Sequence, residues 1–354
     1  MPGSTGCSLK LRETVLNRKN GETKVRSSDP VSVHDEIKAI IKKEDRFLIT
    51  THVRPDGDSL ASVLVFAGLL DAFRKSCRIC IDDGVPRKYD FLPGIERVKS
   101  FDDLPDSSGI GTAVVLDASG LERTGRIGDR IPETARIVNI DHHEGNSRFG
   151  EVNCILTGSS STAEIVYDLY RRCDLPLTPE VARLVYTGIV CDTGCFRFAN
   201  TGAQTLETAA EMVRAGADPG KIIHDLQNRH SAHTLQALGH ALTRIRFFLD
   251  DAVVGMHLTC QDLKQFPEAD TEGFVNYLRM IEGPSVQFFI NEVQPGRHRV
   301  SLRSHEKDVN QIAGRLGGGG HARAAGCDIT GNLEQVQDRI LGCLSAVFKA
   351  GRAD

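Results

Sequence analysis

His52-Val53-Arg54-Pro55-Asp56-Gly57-Asp58 is the stretch from which the fold can be read. The apolar run before it, Arg46-Phe47-Leu48-Ile49-Thr50-Thr51, predicts a buried strand. Residues 60–73 after it have almost no polar face and predict a buried helix. An imidazole and a pair of carboxylates therefore lie between the carboxyl end of a strand and the amino end of a helix, where open α/β sheets bind ligands. Side chains alternate along extended chain, so Asp56 and Asp58 can face the same way, and the turn at Pro55 and Gly57 fixes the loop. Carboxylates this close repel unless a cation lies between them. The competing explanation is a capping loop with Asp58 as helix N-cap, and this segment alone leaves both open.

Later segments weigh the balance toward a metal centre. Thr112-Ala113-Val114-Val115-Leu116-Asp117 is another apolar strand ending in a carboxylate, and Ile137-Val138-Asn139-Ile140-Asp141-His142-His143 is a third. Asp192 closes an apolar helical stretch that begins near Pro179. One strand-terminal aspartate is an ordinary cap or turn residue. Several strands that deliver Asp and His to one sheet edge are hard to explain by structure alone. His and Asp without paired cysteines suit Mn or another borderline-hard divalent ion better than a thiolate zinc site.

The chain has 354 residues, enough for two domains, with an ordinary globular composition of 40% hydrophobic and 25% charged residues. Its net charge of -4 argues against a protein that coats long nucleic acid. No apolar run approaches the ~20 residues that span a membrane, and the N-terminus has no signal-peptide core. The ten cysteines are scattered through strand and helix patterns, so reduced thiols and a cytoplasmic location are expected. Cys77-Arg78-Ile79-Cys80 has redox-motif spacing but sits in an apolar strand pattern and reads as core.

Residues 1–34 lack apolar periodicity and predict a flexible, mildly basic tail. Between 35 and 230, strands near 46–51, 76–82, 112–117 and 137–141 alternate with helices near 58–74, 160–173, 179–191, 203–215 and 219–228. That alternation predicts an α/β domain with a parallel sheet covered on both faces. Residues 231–248 read as a helical linker. A smaller α+β domain follows over 249–350, with the active site in the cleft between the domains.

A second constellation lies in that smaller domain. An apolar helical stripe of Val309, Ile312, Ala313 and Leu316 stops at Gly317-Gly318-Gly319-Gly320-His321-Ala322-Arg323-Ala324-Ala325-Gly326. One glycine is an ordinary helix end, whereas the run carries an entropic cost that a cap does not require. Consecutive free N–H groups there suggest an anion-binding nest formed by Gly318, Gly319 and Gly320 beside His321. The strand before it ends in Arg303 and Ser304, a pair suited to gripping phosphate or base edges.

Together these segments resemble the DHH phosphoesterase superfamily, over roughly residues 38–350. Asp141-His142-His143 matches the name-giving motif, and Gly318-Gly319-Gly320-His321-Ala322-Arg323-Ala324-Ala325-Gly326 matches that of the DHH-associated C-terminal domain. Length and the Val300-Ser301-Leu302-Arg303-Ser304 strand look most like the bacterial oligoribonucleases of the NrnA type. The resemblance implies two divalent ions, Mn2+ by family habit: His52, Asp56 and Asp192 on one, Asp58 and His142 on the other, Asp117 bridging. It makes His143 the catalytic group at the scissile phosphate and Asp141 its orienting partner. It implies a metal-activated hydroxide attacking phosphorus, short oligoribonucleotides as substrates, and dephosphorylation of 3'-phosphoadenosine 5'-phosphate. A homodimer is suggested on the same ground, whereas long duplexes and membranes are not expected partners. Arg54 stands where many relatives have Asn.

The rival enzymatic reading is a cyclic- or linear-dinucleotide phosphodiesterase using the same site. A RecJ-type exonuclease would need further nucleic-acid-binding segments, and a family II pyrophosphatase lacks the glycine-His signature. A non-catalytic nucleotide sensor would show degraded ligands, and every ligand position here is filled.

Overall fold

The computed structural model describes residues 32–103, 109–227 and 229–350, so most of the expected tail lies outside the described residues. Ser32 accepts the N–H of Asp35 and caps helix α1 (Val33–Lys43), which buries Ile37, Ile40 and Ile41. That spacing is helical, so the first domain starts earlier than the polar look of the preceding chain suggests.

Six strands follow: β1 (Phe47–Thr50), β2 (Cys77–Ile81), β3 (Val98–Ser100), β4 (Thr112–Leu116), β5 (Arg136–Asp141) and β6 (Val152–Ile155). They form one parallel sheet in the order β3-β2-β1-β4-β5-β6. The edge strands β3 and β6 are short and carry exposed or half-buried positions, which is why no apolar run announces them. Helices α2 (Gly57–Ala72), α3 (Thr162–Arg172), α4 (Pro179–Asp192), α5 (Ala203–Arg214) and α6 (Pro219–Gln227) complete the domain. α2 is buried on nearly all sides because α3 and α4 both pack on it. The strand order reverses between β1 and β4, and the loops there diverge to opposite faces and open a crevice. His52 follows β1 and Asp117 follows β4, which places both at that crevice.

Helix α7 (Ala232–Leu242) is the predicted linker helix, and it buries Ala237, Leu238 and Ala241 in the second domain's core. β7 (Arg246–Phe248), an edge strand within the stretch read as linker, opens the second sheet. β8 (Val253–Leu258), β9 (Val286–Gln294), β10 (Arg297–Ser304), β11 (Gly319–His321) and β12 (Ala324–Thr330) complete it. The order is β11-β12-β10-β9-β8-β7, with β8 and β9 parallel and the other pairs antiparallel. One face is covered by α10 (Val309–Arg315) and α11 (Leu333–Ala350), whose apolar residues meet Val286, Phe288, Val300 and Leu302. The short helices α8 (Cys260–Leu263) and α9 (Val275–Leu278) join α7 on the other face, over β8 and β9. α9 also reaches β10, and beyond it the same face of β12 and β11 meets the first domain through Asp328 and His321.

An ionic knot around the buried Asp262 fixes α7 to α8. Asp262 accepts Arg244 Nη2 at 2.6 Å, His240 Nε2 at 3.1 Å, Thr259 Oγ1 at 2.6 Å and Thr259 N at 2.8 Å. Burial opposes its charge, but Arg244 and Thr259 outweigh that and hold the carboxyl well below the usual range. A depressed folded-state pKa means stability present above the unfolded value near ~4 and lost as pH falls below it. Asp262→Asn is expected to weaken the second domain by about 3 kcal/mol at pH 7 and to flatten its acid-unfolding limb. Urea unfolding at pH 7 and pH 3 checks this, and an unchanged midpoint at pH 7 rejects it.

Candidate metal centre

The loop after β1 builds the first side of the site. Asp56, not Asp58, is the N-cap of α2: its carboxylate accepts Ser59 N at 3.0 Å while Ser59 Oγ accepts Asp56 N at 2.9 Å. Asp58 is thereby free to turn inward, where it is fully buried. It accepts Thr162 N at 2.7 Å and Ala163 N at 2.9 Å, so the amino end of α3 delivers N–H groups and its dipole to this carboxylate. Burial, then Asp117 and Asp192, nevertheless push the Asp58 carboxyl well up. A buried acid crowded by like charges fits a cation between them.

Asp117 lies at the end of β4 with φ +56°, an uncommon conformation for a non-glycine residue that turns its carboxylate into the crevice. Its two oxygens face different partners. Oδ2 lies 3.6 Å from His52 Nε2, and Oδ1 lies 3.6 Å from His142 Nε2 and 2.9 Å from Thr162 Oγ1. His52, Asp56 and Asp117 bring donor atoms within 4.8 Å of one another, and Asp58, His142 and Asp192 do the same. Asp192, the last residue of α4, thus stands with Asp58 and His142, not with His52 and Asp56 as expected from the sequence. Its Oδ2 lies 2.9 Å from His142 Nε2, yet that buried nitrogen has no hydrogen bond of acceptable alignment. Close approach without alignment is how ligands of one ion meet. The buried carboxylate and imidazole donors fit hard or borderline divalent cations.

Asp141 organises the Asp-His-His turn. One oxygen accepts His142 N at 2.8 Å and meets His143 Nδ1 at 2.7 Å, and the other accepts Asn146 Nδ2 at 2.7 Å. His142 Nδ1 sits 3.3 Å from Ser159 O, so both rings are aimed from behind. Across the cleft, His321 stacks on His143 with centroids 4.3 Å apart and planes 16° apart.

Residues 46–189 match the model for the DHH family, N-terminal domain, and residues 255–349 match the DHHA1 domain. The chain is 35% identical over 312 residues to the bifunctional oligoribonuclease and PAP phosphatase NrnA of Thermus thermophilus, covering 87% of this chain and 91% of the relative. The chain belongs to the DHH phosphoesterase family.

A Bacillus subtilis protein of the same description is 28% identical, covering 89% of this chain and 98% of its own. An exopolyphosphatase-related protein from Bacteroides fragilis has a crystal structure that superposes with a TM-score of 0.82 at 26% identity, over 89% of this chain and 96% of that one.

In this DHH phosphoesterase the electrostatics divide the histidines. Burial opposes charge on His52, but the Asp117 carboxylate 3.6 Å away and the charge of Asp56 raise it to about 9. His143 is raised too, because Asp141 and Asp117 outweigh its burial. His321 is pushed down to about 3, by burial first and then by the charges of His143 and His142. The stacked pair therefore joins an imidazole whose surroundings favour its proton to one whose surroundings oppose it.

The substrate-binding expectations fare unevenly. Gly318, Gly319 and Gly320 do not curl into a nest; Gly319, Gly320 and His321 pair with Gly326, Ala325 and Ala324 as an edge strand. Gly318 is required by close approach, since a Cβ there would lie 2.1 Å from Gly326 O. Arg303 lies beside Ala324 on the face that carries His321. Ser304 points the other way: it is buried, donates to Ser285 O at 3.0 Å and accepts Lys307 N at 2.7 Å, so it holds a turn. Period-two alternation along β10 separates the two.

The loop before α3 also supports the site, though no apolar run marks it. Glu164 accepts Ser160 N at 3.0 Å, Ser160 Oγ at 2.9 Å and Ser159 Oγ at 3.1 Å, which braces the segment that presents Ser159 O and Thr162 to the site. Ser161, whose Oγ accepts Glu164 N at 3.2 Å, is the visible signal: Ser-x-x-Glu is a helix-start pattern.

Proposed function

We propose that this phosphoesterase hydrolyses short oligoribonucleotides to nucleoside 5'-monophosphates and removes the 3'-phosphate of 3'-phosphoadenosine 5'-phosphate, with two divalent ions, manganese foremost. The observation that carries the reading is Asp117, whose two oxygens serve two donor sets, His52 with Asp56 and Asp58 with His142 and Asp192. The names of the Thermus thermophilus and Bacillus subtilis relatives support the substrate class.

Bound ions would supply Lewis-acid activation of the attacking water and positive charge for the phosphate oxygens. The chain's own residues do the rest. His143, held by Asp141 through Nδ1, presents Nε2 to the phosphate and there donates a proton to the departing oxygen. His321, neutral and stacked on His143, excludes water from one side of that imidazole. Contacts between the domains, Arg54 with Asp328 at 3.7 Å and Lys88 with Glu272, flank the cleft and favour a short strand over a duplex.

The test is turnover with Mn2+, then Mg2+, of a diribonucleotide, a long single strand, a cyclic dinucleotide and 3'-phosphoadenosine 5'-phosphate, with Asp117→Ala as control. Mononucleotides released fastest from the diribonucleotide, together with phosphate from the bisphosphate, both lost in the control, are the expected result. Preference for the cyclic dinucleotide would transfer the assignment to a signalling phosphodiesterase. Metal binding without turnover of any of them would reject a hydrolase of nucleotides.

A further inference from the structure

The second sheet meets the first domain along one face, where Asp328 offsets Arg297, Arg299 and Arg54 while Arg303, among the described residues, has no ion pair. Arg303 on β10 pairs in register with Ala324, which pairs with His321, so Arg303 lies two strand spacings from the histidine stacked on His143. At ~4.8 Å per spacing that is about 10 Å from the reacting phosphate's histidines. Arg303 Nε donates to Asn276 Oδ1 at 3.1 Å and Nη1 to Leu302 O at 2.9 Å, which fixes the guanidinium without neutralising it. Its pKa is pushed down to about 10, by burial first and then by Arg279.

Arg279, at the end of α9, adds a second guanidinium. It lies 4.8 Å over the ring of Phe198, which belongs to the first domain. Its Nε is buried and has no hydrogen-bond partner. Burial and the charge of Arg197, also from the first domain, lower its pKa. Arg197 is anchored by Nε to Gly194 O at 2.7 Å, in the segment that leaves Asp192. Asn200 ties the same segment back by donating to Asp192 O at 3.2 Å and Ser160 O at 3.0 Å. Among the described residues, Arg197, Arg279 and Arg303 have no carboxylate ion-pair partner. Like charges gathered in a cleft with no directly paired carboxylate, the nearby Glu272 being engaged by Lys88, raise the free energy of the empty state, and a multiply charged anion relieves it.

We propose that Arg197 and Arg279, together with Arg303, form a subsite for a terminal phosphomonoester distinct from the phosphate being cleaved. The inference rests on the proposed function, and deepens it. Hydrolysis of a 5'-phosphorylated dinucleotide to 5'-monophosphates breaks the bond between phosphorus and O3' of the first nucleoside, water oxygen bonds to phosphorus, and O3' takes a proton. Dephosphorylation of adenosine 3',5'-bisphosphate breaks the same bond. Each substrate therefore carries a 5'-phosphate on the nucleoside whose O3' leaves. One anion subsite at a fixed distance accounts for both activities at one metal centre. Because Phe198 and Arg197 come from one domain and Arg279 and Arg303 from the other, the subsite is assembled only when the domains close.

Two measurements test it. The first compares kcat/KM for adenosine 3',5'-bisphosphate with adenosine 3'-monophosphate, and for a 5'-phosphorylated diribonucleotide with its unphosphorylated form. Wild type is expected to favour each phosphorylated partner by about tenfold or more, mainly through KM. Arg279→Gln should bring both ratios toward one, Arg197→Gln should reduce them, and Arg279→Lys should restore part of the preference. The second, calorimetric binding of adenosine 5'-monophosphate against adenosine, needs no turnover. Wild type should prefer the monophosphate, and Arg279→Gln and the surface variant Arg197→Gln should narrow that gap. Equal kcat/KM for the paired substrates in wild type, or a gap that survives both substitutions, overturns the subsite. No turnover with an intact binding gap would overturn the hydrolase reading and leave the subsite standing.

Discussion

Asp117→Asn is expected to lower hydrolysis by on the order of 10³-fold, about 4 kcal/mol of transition-state stabilisation. Asparagine keeps the shape of the side chain but replaces one oxygen with a donor. Either Oδ1, which faces His142, or Oδ2, which faces His52, would then become an NH2 group, so one donor set loses its acidic oxygen. Burial would raise the Asp117 carboxyl, but the close His52 imidazole and the charges of His143 and His142 hold it far below the usual range. The carboxylate is thus charged at any pH at which the enzyme works. Calorimetric titration with Mn2+ should show weakened or incomplete loading, while the circular dichroism spectrum stays native. Activity within tenfold of wild type would remove Asp117 from the centre.

Gly188→Ala is expected to reverse the sign that helix propensity assigns to it. In the middle of α4, alanine should be favoured over glycine by ~0.5–1 kcal/mol. A Cβ at Gly188 would instead lie 2.5 Å from Ala163 Cβ and 2.6 Å from Asp58 Oδ1. Neither neighbour is the far end of a flexible side chain: Ala163 Cβ is fixed to α3, and Asp58 is held by Thr162 N and Ala163 N. Overpacking of this kind costs about 1–3 kcal/mol. A displaced Asp58 should reduce activity by ~10²-fold, as small misplacements of reacting groups do. Thermal unfolding and turnover measured on the same variant check both parts. A raised midpoint with full activity would refute the packing argument.

The strands that carry the site were legible because their chemistry is local. β1, β4 and β5 are continuous apolar runs that end in His52, Asp117 and Asp141-His142-His143. A buried parallel strand needs nothing else to be recognised. β3 and β6 escaped because edge strands are short and half exposed. β11 escaped because a strand of Gly319, Gly320 and His321 has no apolar face, and only pairing with β12 makes it one. The cap of α2 went to Asp56 rather than Asp58 because Ser59 completes a reciprocal capping box with Asp56.

Residue types at strand ends, read from the chain alone, determined the α/β architecture, the crevice and the acid and imidazole donors that gather there. Only the tertiary structure decided how they divide: Asp192 beside Asp58 and His142, Asp117 between both sets, His321 on His143, Ser304 turned into the core. Periodicity along one segment reports which face of an element is apolar. Which atoms meet across elements depends on register, on the angle at which helices pack, and on close approaches such as that of Gly188 to Asp58, and these arise only when distant segments pack together.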